Sequence, residues 1–145
     1  MAIKNDDKAF LDSMQFIFKW EGEYINDPND AGGETKYGIT KRWYPHLDIK
    51  NLTREQAEDI YYKEYWLKAG CDKKFFPDNI LIFDTAVHMG VSRACELYKN
   101  CDNWQGFILK RIEFYTDLPS AKHYLSGWIN RCIDLWRYIK KKGGH

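Results

Sequence analysis

Acidic side chains and a threonine crowd into one short stretch, EGEYINDPNDAGGET, which places Glu21, Asp27, Asp30, Glu34 and Thr35 within a few turns of chain. A carboxyl that keeps its proton near neutral pH can act as a general acid. A second, ionised carboxyl can activate water or stabilise an oxocarbenium-like transition state, and the two together are what glycosidic bond cleavage commonly requires. A threonine hydroxyl such as that of Thr35 can hold the water by hydrogen bonds. Glu21 is the candidate acid. Phe10, Leu11, Met14, Ile17 and Phe18 recur at helical spacing, and Glu21 falls near the middle of their arc, just before Gly22 stops the helix. Apolar surroundings and the negative end of the helix dipole both favour the protonated carboxyl there. Position alone fits an acid fraying into water equally well; the acids of the following loop favour the chemical reading.

Two other accounts of the loop compete. Asp27, Asn29 and Gly32 stand at calcium-loop spacing, but the fifth position is Ala31 and the twelfth is Gly38, where a bidentate Glu belongs. Asp27, directly before Pro28, also suits an Asx turn with no catalytic role.

The elements that must position these groups are mostly helical. Short β-like flanks, EYIN and TKYGIT, enclose Gly32-Gly33 and predict a tight hairpin or small β-lobe after the first helix. Thr53 and Gln56 have capping-box spacing at the start of LTREQAEDIYYKEYW, whose apolar face includes Ala57, Ile60, Tyr61 and Tyr65. The segment from Ile80 to Leu97 is apolar nearly all round and predicts a central helix that breaks at Gly90. Asp102 or Asn103 caps a further helix bearing Trp104, Phe107, Ile108, Ile112 and Tyr115, and WINRCIDLWRYIKKK supplies the last. The expectation is one mainly α domain over 1–145, with a catalytic part and β-lobe in 1–70 and a helical part in 77–145.

Composition excludes several classes. With 44% apolar and 17% aromatic residues the chain can build a core and is not a disordered one. A net charge of +1 argues against nucleic-acid binding driven by phosphate neutralisation. No apolar run approaches the roughly 20 residues of a membrane span. The N-terminal MAIKNDDKAFLDSMQ is too acidic and interrupted for a secretory leader, so synthesis in the cytoplasm is expected. The four cysteines, Cys71, Cys95, Cys101 and Cys132, form no CxxC pair, and free thiols are expected with no metal and no cofactor. The lysines of RYIKKKGGH read as a solvated helix end. His46 and His123 carry no signal.

The run EGEYINDPNDAGGETKYGITKR resembles the N-terminal signature of glycoside hydrolase family 108, bacterial and phage N-acetylmuramidases, whose pattern is approximately EGGY-x-N-D-P-x-D-x-G-G-x-T-x-x-G-I. LTREQAEDIYYKEYW resembles that family's second helix, and FDTAVHMGVSRACELYKN with SGWINR resembles the peptidoglycan-binding segment usually fused behind. The resemblance implies a lysozyme-like helical fold and cleavage of the β-1,4 bond between N-acetylmuramic acid and N-acetylglucosamine in peptidoglycan glycan strands. It places the catalytic glutamate on Glu21. Phage-type lysozymes space Glu, Asp and Thr by eight and then five residues; Glu21 and Asp30 keep the first spacing, while Thr35 follows after four. The chain departs from the family in having Glu23 for the middle Gly of EGGY, His88-Met89-Gly90 for Asn-His-Gly, and a short connection between Asn100 and Gly106. The C-terminal half is therefore read as packed against the catalytic part.

Asp84 and His88 stand four apart on the most apolar helix and share a face. They either satisfy each other in the core or line the glycan cleft. Tyr24, Tyr37 and Trp128 are candidate stacking surfaces for sugar rings, with core packing as the alternative, and Glu34 is a further candidate contact. The expected protein is a monomeric muramidase, a phage endolysin or prophage-derived autolysin, that reaches the cell wall after release from the cytoplasm. A lytic transglycosylase needs only Glu21. A non-catalytic wall-binding module is the reading from a different class.

Overall fold

The computed structural model describes residues 7–29 and 31–144. The chain divides into two compact units, residues 1–64 and 65–145. The fold is mainly α, with a small three-stranded antiparallel sheet after the first helix.

In the first unit, α1 (Lys8–Trp20) begins where the Asp7 side chain accepts from the Phe10 N–H, as an N-cap does. Phe10, Met14 and Ile17 of the predicted stripe are each no more than 1% exposed, Leu11 and Phe18 are half-buried, and Ser13 and Phe16 join the buried face. Each of the buried apolar side chains contributes on the order of 1.5–3 kcal/mol by leaving water. Strands β1 (Ile25–Asn26), β2 (Glu34–Lys36) and β3 (Ile39–Thr40) follow in sequence order. Their registers pair Ile25 with Thr35 and Thr35 with Thr40, so these three side chains share one face. Asn26, Glu34, Lys36 and Ile39 belong to the other. Of the two readings of Gly32-Gly33, a tight hairpin or a small β-lobe, the second holds: the pair lies in the longer β1–β2 connection. The tight turn is Tyr37-Gly38, both at positive φ (53° and 79°), the two-residue pattern whose twist matches that of the flanking strands.

The second helix, α2 (Arg54–Tyr61), starts on the expected capping box: the Thr53 hydroxyl accepts from the Gln56 N–H at 3.1 Å, and the Gln56 side chain accepts from the Thr53 N–H at 2.9 Å. Its continuation, Tyr62–Leu67, winds as a π-helix. The wider winding moves the inward position from Tyr65, expected from α periodicity, to Trp66, which is 1% exposed.

In the second unit, α3 (Asp78–Met89) is buried continuously from Asn79 to Ala86, as befits a helix apolar on all sides. Gly90, at φ 99°, breaks it from α4 (Val91–Lys99). The Asn103 side chain accepts from the Gly106 N–H at 2.7 Å and opens α5 (Trp104–Thr116). Helix α6 (Ala121–Lys141) starts seven residues before the predicted segment. Arg111 and Arg131, whose charge gives no hint of an interior position, are both buried.

Candidate active site

Glu21 is the C-cap of α1, half-buried, with its N–H donating to the Ile17 carbonyl at 2.9 Å. Its carboxyl rests on the Tyr37-Gly38 turn. A Cβ placed on Gly38 would stand 3.0 Å from Glu21 Cβ and 3.2 Å from Glu21 Oε2, and would collide with the Tyr61 hydroxyl. Glycine is therefore required there twice over, by its φ of 79° and by the closeness of the carboxyl. The turn is fixed from two sides. The Tyr61 hydroxyl donates to the Tyr37 carbonyl at 2.5 Å, and the Tyr37 ring meets Phe18 edge-on at 5.2 Å. Phe18 in turn carries the Arg54 guanidinium 4.5 Å above its ring. A tyrosine at positive φ is an uncommon conformation that survives only where its surroundings hold it. Here Phe18, Tyr61 and the α1 terminus do so, around the acid.

The loop acids are placed as follows. Asp27 Oδ1 accepts from the Asn29 N–H at 2.9 Å, the Asx turn that its position before Pro28 suggested. Glu34 accepts a 2.8 Å hydrogen bond from the Tyr24 hydroxyl, and this bond holds the Tyr24 phenol above its ordinary pKa. Two predicted contacts, Tyr24 and Glu34, are thus joined to each other. Thr35, half-buried at the centre of the sheet, stands beside Thr40, whose buried hydroxyl oxygen has no hydrogen-bond partner among the described residues. Thr35 and Glu34 project to opposite sheet faces, so a sugar lying on one face meets only one of them. Asp30 lies outside the described residues.

The second unit holds Asp84, His88 and Trp128 in a different arrangement. Asp84, 0% exposed, is neither a cleft wall nor the partner of His88. Its Oδ2 accepts from Arg111 at 2.8 Å, and its Oδ1 from Arg131 at 2.7 Å. Burial pushes the Asp84 carboxyl up, but Arg131 and Arg111 outweigh it and hold it at about 2. Arg111 Nε donates to the Tyr115 hydroxyl at 2.7 Å, and Tyr115 meets His88 Nδ1 at 2.5 Å. A phenol that accepts from Arg111 and donates to Nδ1 goes with a His88 proton on Nε2. Burial, then the charges of Arg111 and Arg131, lower His88 to about 4, so it stays neutral near pH 7. Trp128 stacks on Tyr124 at 5.9 Å and lies 5.0 Å from Tyr115. The four cysteines are free thiols, with Cys71 and Cys132 buried.

Sequence reasoning singled out Glu21 as the candidate acid and Tyr37 as a candidate contact, but not the turn on which the Glu21 carboxyl rests. Gly38 and Tyr37 had a signal, an X-Gly pair between two β-like flanks. Tyr61 was visible only as an apolar helix position, and nothing local announced Arg111 or Arg131.

Residues 14–90, from the middle of α1 to the break after α3, match the family model described as Glycosyl hydrolase 108. The chain belongs to that family. Its chemistry is accordingly that of a glycoside hydrolase. Among solved structures the chain is similar to Brucella abortus SagA, at 22% sequence identity and a TM-score of 0.80, covering 93% of this chain and 95% of that one. The likeness shows a shared fold. Among curated proteins no relative matches. In this glycosyl hydrolase 108 chain the matched segment includes Glu21, the Tyr37-Gly38 turn and Tyr61.

Proposed function

We propose that the protein is a peptidoglycan hydrolase, an N-acetylmuramidase that cleaves the β-1,4 bond between N-acetylmuramic acid and N-acetylglucosamine. One observation carries the reading: in a glycosyl hydrolase 108 chain, the glutamate at the end of α1 is seated on a positive-φ turn that accommodates no side chain at Gly38. Glu21 donates its proton to the leaving glycosidic oxygen. Asp30 acts as base or electrostatic stabiliser, and Thr35 helps to hold the water. Tyr24 and Tyr37 contact the sugar on the Glu21 side; His88 and Trp128 serve as glycan contacts of the second unit. The protein works as a monomer, made in the cytoplasm of a bacterial host and acting on the wall after release, in the manner of a phage endolysin or autolysin.

A lytic transglycosylase is the second reading, and the loop supplies its support: Asp27 and Glu34 are each engaged by a neighbour within their own unit. The test is digestion of purified sacculi followed by mass spectrometry. Hydrolysis adds water across the bond, and transglycosylation leaves a 1,6-anhydromuramoyl end. Loss of activity in Glu21→Gln and in Asp30→Ala supports the two-carboxylate muramidase. Full turnover in Asp30→Ala with anhydro products replaces it by the transglycosylase. Binding to sacculi with no product at any pH means a wall-binding module.

A further inference from the structure

A cavity of about 550 Å³ opens within the second unit, among α3, α4, the start of α5 and the short 3-10 turn Cys71–Lys73. That volume lies in the range of about 300–1,000 Å³ usual for small-ligand sites. Leu81, Ile82 and Trp104 contribute apolar walls, and Lys73, Lys74 and Lys99 are also among the lining residues. None of the three lysines forms an ion pair among the described residues. Lys74 Nζ lies 5.0 Å from the Tyr98 ring centre, and the Tyr98 hydroxyl is fixed by donating to Asp78 at 2.6 Å. Asp78 and Asp102 are the acids of the lining, so the cavity has a small positive excess together with both signs of charge.

These features narrow the ligand. A polyphosphate would meet Asp78 and Asp102 as well as the lysines, and like charges at close range are unfavourable. A neutral sugar would leave the positive excess of the lining unused. A short peptide with small apolar side chains, a free carboxylate and a free amine suits the walls, the lysines and the acids together.

We propose that this cavity binds the stem peptide of peptidoglycan through a free carboxylate held by Lys73, Lys74 and Lys99. The choice of peptide rests on the peptidoglycan reading above. Such a site lets the protein grip the wall by its peptide while the glycan is cleaved, and it favours strands whose stems are not amidated.

Two thiols report on the cavity directly. Cys95 and Cys101 line it, both half-buried, with their sulfurs 3.8 Å from the Ala69 carbonyl and 3.2 Å from the Tyr98 carbonyl. The experiment measures iodoacetamide labelling of each cysteine by mass spectrometry, on the full chain, with and without free stem tripeptide (alanyl-γ-glutamyl-diamino acid). Protection of Cys95 and Cys101, with buried Cys132 as the internal reference, is expected. The same peptide with its carboxylates amidated should protect about tenfold less well, as should wild-type peptide on Lys74→Glu/Lys99→Glu, both surface-compatible changes. Equal protection by the amidated peptide, or none by either, overturns the proposal, and the wild-type comparison needs no variant to fold. Labelling requires no turnover, so the two readings fail separately. Sacculus cleavage without tripeptide protection removes this site and leaves the muramidase standing. Protection without cleavage keeps the site and removes the muramidase.

Discussion

The two units treat buried and half-buried acids in opposite ways. Asp84 is fully enclosed, its oxygens taken by two arginines and its carboxyl held at about 2. Glu21 stands half-exposed at a helix end, against a turn in an uncommon conformation. The first arrangement commits a charge to folding: a buried carboxylate with two guanidinium partners cannot also exchange a proton with a substrate. The second places a carboxyl where a substrate can reach it and holds the backbone around it. Both are carboxyl side chains, one within α3 and one at the end of α1, and their surroundings differ.

That contrast can be broken by exchange of effects. Glu21→Gln should lower the rate of sacculus hydrolysis by about 10²–10⁴-fold, the usual contribution of a general acid, and leave the melting temperature almost unchanged. Asp84→Ala should do the reverse. It leaves Arg111 and Arg131 buried without their counter-charge, a loss of about 3–5 kcal/mol in urea unfolding. Should Glu21→Gln unfold the protein, or Asp84→Ala retain full stability, the division of labour is wrong.

His88 sharpens the comparison through pH. Its folded pKa of about 4 lies below the ordinary histidine value of 6.5, so between these values the unfolded chain binds more protons than the folded one. Stability should be unaffected by this group above pH 6.5 and should fall as pH drops toward 4, by up to about 3 kcal/mol. His88→Gln should flatten that part of the stability–pH curve, read by thermal melts across the range. Asp84 gives the companion signature at lower pH. Its stabilisation is present above the ordinary carboxylate pKa of 3.8 and is lost as pH falls toward 2.

Smaller effects are expected around the turn. Gly38→Ala forces a Cβ onto Tyr61 and Glu21 at positive φ, at a cost of about 1–3 kcal/mol, and should reduce activity more than its stability loss explains. Tyr61→Phe removes the hydrogen bond to the Tyr37 carbonyl, worth about 1 kcal/mol. Activity assays and melts on the same preparations separate the two contributions. If both variants keep full activity, the turn does not position the acid.

Periodicity, capping and glycine placement fixed much of this protein in advance. The α1 stripe that ends at Glu21, the Thr53–Gln56 capping box, the continuous burial of α3 and its break at Gly90 are set by neighbours a few residues away, so the chain displays them locally. The candidate acid was legible for the same reason. Tertiary structure alone decided that the Tyr37-Gly38 turn carries Glu21, because that contact joins α1, the sheet and α2. It alone decided that Asp84 pairs with Arg111 and Arg131, 27 and 47 residues away, while His88 turns to Tyr115. A charge states its need for a partner in the sequence; which partner satisfies it depends on what folding brings within hydrogen-bond reach.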